Sequence, residues 1–112
     1  MMNLLEHYEA ALDTKASEYR RTAAEAEGRG DERERSVNLM RASMLGDMLK
    51  ALGRAEHGGR RGLLQKLAGE AFVRAEAAAG RGDFDTADRE RVKAETILWA
   101  REQLEALEAD HD

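Results

Sequence analysis

Gly28-Arg29-Gly30-Asp31 and Gly80-Arg81-Gly82-Asp83 are the same four residues, placed 52 positions apart. Each lies between two long runs in which apolar residues recur at steps of three and four. A glycine enters the left-handed conformation that closes a helix, and an aspartate accepts hydrogen bonds at the start of the next one. Each copy therefore predicts a tight corner between antiparallel helices. Two corners predict four helices, and so an all-α fold made of two antiparallel helical hairpins. Such hairpins can close into an up-down four-helix bundle or lie side by side as a short stack.

Working outward from the corners, the first helix is expected over about 3–27. Leu5, Tyr8, Leu12, Ala16, Tyr19, Ala23 and Ala26 fall on one face of it. The stripe narrows from Leu and Tyr to Ala towards the corner, where a partner helix can come closer. Asp31 and Glu34 have the spacing of a capping box. The second helix is expected to reach about residue 55, with Val37, Met40, Met44, Met48 and Leu52 as its stripe and Leu39, Leu45 and Leu49 on the flanks. That stripe is wider than one neighbour needs, so the helix is expected to touch more than one other helix. Gly46 inside it reads as a point of close backbone contact. His57-Gly58-Gly59-Arg60-Arg61-Gly62 reads as a flexible linker over 57–62. The third helix is expected over about 63–79, burying Leu64, Leu67, Ala68, Ala71, Phe72, Ala75 and Ala79. The fourth is expected from about 85 to 109, burying Ala87, Ala94, Ile97, Leu98, Leu104 and Leu107. The whole reads as one domain over 1–112, with hairpin 1 at about 3–56 and hairpin 2 at about 63–110.

Composition narrows the function classes. The 112 residues contain no proline, which would break helix interiors, and no cysteine, so there is neither a disulfide framework nor thiolate chemistry. A net charge of -5, with both signs mixed along the chain, does not supply the positive footprint of a nucleic-acid binder. No apolar run approaches the roughly 20 residues of a membrane span, and none resembles a secretory leader. A cytoplasmic location without membrane contact is the expectation. Aromatic residues make up only 4 %, and alanine takes many core positions, so the domain buries little area per residue. Self-association is a usual remedy for such a small core.

The duplication extends past the corners. Met40-Arg41-Ala42-Ser43-Met44-Leu45 aligns with Val92-Lys93-Ala94-Glu95-Thr96-Ile97 at the same offset of 52. Within the second hairpin, Gly82-Asp83-Phe84-Asp85-Thr86-Ala87, followed seven residues later by Ala94, resembles the turn and second helix of a tetratricopeptide repeat. The likeness covers about 82–94. It implies a TPR-like stack acting as a protein-binding scaffold without catalysis. The asparagines that form the family's peptide clamp have no counterpart, since only Asn3 and Asn38 occur.

Side chains able to do chemistry are scattered. His7, His57 and His111 stand in separate segments with no paired ligand spacing, so neither a metal nor a cofactor is expected. Ser17, Ser36 and Ser43 lack the glycine elbow of a nucleophile. Arg29-Gly30-Asp31 spells an integrin-ligand tripeptide, but its Gly and Asp already have corner roles. The expected function is a non-catalytic interaction or assembly module, homodimeric, with an unidentified protein partner. Its candidate interface is Met44, Leu45, Met48 and Leu49 on the second helix with Val92 and Trp99 on the fourth, Trp99 being the strongest anchor by residue type. The alternative is a regulatory accessory protein that contacts an anion or nucleic acid through Arg54, Arg60 and Arg61, near the start of the third helix.

Overall fold

A computed structural model describes residues 4–54 and 59–111. Four helices follow one another: α1 (Leu4–Gly28), α2 (Glu32–Arg54), α3 (Arg60–Gly80) and α4 (Phe84–His111). No strand occurs among the described residues. α1 pairs with α2 and α3 with α4, as two antiparallel hairpins. The hairpins meet through α4, which packs on both α2 and α1, while α3 packs principally on α4. The chain measures 44 × 35 × 21 Å. Its short dimension is that of about two helices, each about 10–12 Å across.

Both corners are built alike. Asp31 N–H donates to the Ala26 carbonyl at 2.9 Å and Gly30 N–H to that of Glu27 at 3.0 Å. Asp83 N–H and Gly82 N–H repeat these bonds to Ala78 and Ala79 at the same distances. These are the two bonds of a Schellman closure, and they need a left-handed residue, supplied by Gly30 at φ +75° and Gly82 at φ +78°. Each aspartate then begins the next helix. Asp31 Oδ1 accepts from Glu34 N–H at 3.1 Å and Asp83 Oδ1 from Thr86 N–H at 3.2 Å. The reciprocal half of the expected capping box does not form, because Asp31 N–H is already given to Ala26. The Glu34 carboxylate pairs instead with Arg29 at 2.7 Å.

The core follows the repeat. Tyr8, Leu12, Ala16, Ala42, Leu45, Met48, Leu64, Ala68, Ile97, Ala100 and Leu104 form one buried cluster. At an offset of 52, Leu12 corresponds to Leu64, Ala16 to Ala68, Ala42 to Ala94, Leu45 to Ile97 and Met48 to Ala100, and all are buried. Ala23 and Ala26 likewise match Ala75 and Ala78 near the corners, where small side chains let paired helices close up. The polar positions match as well. Asn38, buried, gives its amide to the Glu34 carbonyl at 2.8 Å, and its counterpart Glu90 is held by Arg74 at 3.0 Å and Lys93 at 3.4 Å. Burial of these carboxylate oxygens is tolerable because cations face them. Tyr8, fully buried, ties α1 to α4 by donating its hydroxyl to the Ala100 carbonyl at 2.8 Å. Burial pushes the Tyr8 hydroxyl well above its ordinary pKa, so it stays a donor.

Several details depart from the sequence reading. α3 begins at Arg60, so Arg60, Arg61 and Gly62 belong to a helix rather than to a linker. A glycine costs only up to about 1 kcal/mol in a helix, less than docking a helix that buries Leu64 and Ala68 returns. His57 and Gly58 lie outside the described residues. α4 begins one residue earlier than expected, at Phe84, because Asp83 and not a later residue caps it. Gly46 makes no close contact, since a Cβ there would meet nothing within 4 Å.

Candidate interaction surface

The residues singled out in the sequence fall into three settings. Leu45 and Met48 are 0 % and 1 % exposed, inside the chain's own core, and in the closed chain they offer nothing to a partner. Met44, Leu49 and Trp99 are half-buried and pack on the rim of that core. Val92 is half-buried in a groove of about 460 Å³ between the first halves of α2 and α4, with Val37 and Met40 beside it. The methionine ladder is therefore split. Met48 is core, Met44 is rim and Met40 lines the groove, because the buried face of α2 runs through Asn38, Ala42, Leu45 and Met48.

Trp99 has company already. Lys15 Nζ lies 5.6 Å from its ring and 5.3 Å from the ring of Tyr19, and Arg41 reaches the Tyr19 ring at 5.6 Å. Cations over aromatic faces are worth about 0.5–1 kcal/mol each at exposed sites. They leave Trp99 partly dressed by its own chain. Of the basic trio, Arg60 opens α3 half-buried, while the side chains of Arg54 and Arg61 lie outside what the structure describes.

The groove between α2 and α4 carries both signs. Glu32 and Arg33 of α2 and Asp85, Asp88 and Arg89 of α4 line it, and Arg33 bridges to Asp88 at 3.7 Å. Among the described residues no group of three or more His, Cys, Asp or Glu could hold a metal ion. No described helix is long and apolar enough to cross a membrane. Asp83 is the other group with a displaced titration among the described residues. Hydrogen bonds from the Thr86 side chain and backbone, and then Arg81 and Arg89 nearby, hold its carboxyl below the ordinary value. That displacement belongs to helix capping.

The exposed apolar residues were not foreseen. Phe72 is 40 % exposed, Val73 65 % and Phe84 66 %, all in hairpin 2, while Leu39 of hairpin 1 is 39 % exposed, with Arg91 at the matching position of hairpin 2. Phe72 was expected inside. The buried face of α3 instead runs Leu64, Ala68, Ala71, Ala75, Ala78, which needs only small residues after Leu64 because one helix, α4, covers it closely. Phe72 is thereby left on the flank and Val73 on the side away from α4. The signal was present in the repeat. At the matching positions hairpin 1 has Arg20, Arg21 and Glu32, all exposed. These positions face water in both hairpins, so folding does not require them to be apolar.

Compared with known protein families, with curated proteins and with solved structures, the chain finds no match.

Proposed function

We propose that this chain is a cytoplasmic, non-catalytic interaction module that associates with itself. The observation that carries this reading is the contrast between Phe72, Val73 and Phe84, exposed on hairpin 2, and Arg20, Arg21 and Glu32 in the same positions of hairpin 1. At these three positions one hairpin is charged and the other presents apolar side chains that the monomer leaves in water, whereas at Leu39 and Arg91 the order is reversed. Among the described residues the two groups with displaced titration, buried Tyr8 and exposed Asp83, hold a helix pair together and cap a helix, which supports the same reading. In this reading the helix–corner–helix units act as tetratricopeptide-like units do, as a rigid frame for a contact surface.

The test is the mass of the chain in solution. Sedimentation equilibrium across about 1 µM to 1 mM, the range of weak to moderate affinities, is expected to show a monomer–dimer equilibrium. A single monomeric species up to the top of that range contradicts self-association.

A further inference from the structure

The outer side of α3 has a pattern that matches itself in reverse. At about 100° per residue, Gly62, Lys66, Gly69, Val73, Glu76 and Gly80 line the side opposite the buried run Leu64, Ala68, Ala71, Ala75, Ala78. All six are exposed, and a Cβ built on Gly62, Gly69 or Gly80 would meet nothing within 4 Å. They alternate in steps of four and three, the spacing of a helix–helix seam. Turned end for end about the level of Ala71, the row reads against itself with each residue meeting a complement. Lys66 falls opposite Glu76, Val73 opposite Gly69, and Gly62 opposite Gly80. Opposite charges meet, and the one branched side chain meets the one residue in the middle that leaves room for it.

We propose that α3 pairs antiparallel with α3 of a second copy, through Lys66, Gly69, Val73 and Glu76, with Phe72 closing one flank. The proposal rests on the self-association reading and names its surface. A two-fold dimer requires one patch to be its own complement, so that residue i meets j and j meets i. In the seam, the row gives two Lys66–Glu76 pairs and two Val73–Gly69 contacts. Phe72 of each copy lies on the same flank near the axis, and the two rings cover one side of the seam. Glu70 of each copy lies on the opposite flank, exposed, where solvent and salt screen the repulsion.

α1 is the internal control. The same positions there are Ala10, Thr14, Ser17, Arg21, Ala24 and Gly28, with Arg20 in place of Phe72. Reversed about Tyr19, Arg21 meets Ser17 and Thr14 meets Ala24. No opposite charges face each other and no apolar knob is present. The complement belongs to the helix that carries exposed Phe72 and Val73. The seam from Gly62 to Gly80 is about 27 Å long. One helix pair of that length buries less than the ~1,200 Å² of a standard interface. The dimer is accordingly weak, with a dissociation constant on the order of 10–100 µM.

Charge reversal tests the register. In sedimentation equilibrium of the full chain, Lys66→Glu and Glu76→Lys should each weaken the dimer about tenfold, and the double variant should return it to within about threefold of wild type. Val73→Arg, which copies hairpin 1, should weaken it about 100-fold. Circular dichroism should be unchanged in all four, because the side chains are in solvent. A dimer indifferent to every one of these changes overturns the α3 seam and leaves self-association standing. A dimer weakened by the single reversals but not restored by the double variant overturns the antiparallel register. A wild-type chain that stays monomeric overturns both readings.

Discussion

The two hairpins share their inner surface and differ on their outer one. Leu12 and Leu64, Leu45 and Ile97, and the alanines near the corners occupy matching buried positions. Corner bonds agree to the tenth of an ångström. Outside, hairpin 1 shows Arg20, Arg21 and Glu32 where hairpin 2 shows Phe72, Val73 and Phe84. A duplicated unit must keep what packing demands and is free to change what faces water. The difference between the copies therefore separates residues needed for folding from residues available for another purpose.

The contrast has a second part, in how the hairpins are supported. α1 packs on both α2 and α4, and Tyr8 bonds it to Ala100, whereas α3 packs principally on α4. Matching core deletions should not be equal. Leu12→Ala and Leu64→Ala should each cost about 2–5 kcal/mol in urea denaturation, with Leu12→Ala the larger because more helices line its site. Equal losses would mean that α3 is as firmly held as α1.

The corners should behave oppositely, as twins. Alanine at Gly30 or Gly82 must adopt a positive φ, and each substitution should cost about 1–2 kcal/mol. Thermal melts of the two variants should agree to within a few tenths of a kcal/mol. A clear difference would show that one corner relaxes and the other cannot.

The smallest expected effect concerns acid. The Asp83 carboxyl is held below its ordinary value of 3.8 by Thr86, with Arg81 and Arg89 adding to it. A carboxyl whose pKa is lower folded than unfolded contributes stability above the unfolded value, and that contribution is lost as pH falls through the folded one. Wild type should therefore lose this cap below about pH 4. Asp83→Asn keeps an acceptor for Thr86 N–H and removes the titration, so its melting temperature should fall less steeply over that range. An unchanged slope would assign the acid sensitivity to other carboxylates.

Much of this was legible in the residues. Gly-Arg-Gly-Asp twice over gave both corners, because a left-handed closure and a cap are local needs that sequence states directly. The stripe of α1 was legible for the same reason: Tyr8, Leu12, Ala16, Ala23 and Ala26 keep one period and are buried. The face of α3 was not. Phe72 sits one position from Ala71, and large apolar residues outweigh alanine in any reading by hydrophobicity. Only the number and closeness of neighbours, which is a tertiary fact, decides that alanine goes in and phenylalanine stays out. The width of the α2 stripe was legible as contact with more than one helix, and α1 and α4 are those helices, but that contact takes up Leu45 and Met48, which the sequence reading puts among the candidate interface residues. Gly46 was equally opaque, since a glycine in sequence does not say whether anything stands opposite it.

Sedimentation equilibrium of wild type beside the Phe72→Arg, Val73→Arg double variant tests the comparison most directly, because the variant gives α3 the arginines that α1 has at the matching positions. The prediction is a wild-type mass that rises with concentration towards twice that of one chain, and a double variant that stays at the mass of one chain with its helix content intact. Equal masses for the two at every concentration would contradict the claim that the outer face of hairpin 2 is built for contact.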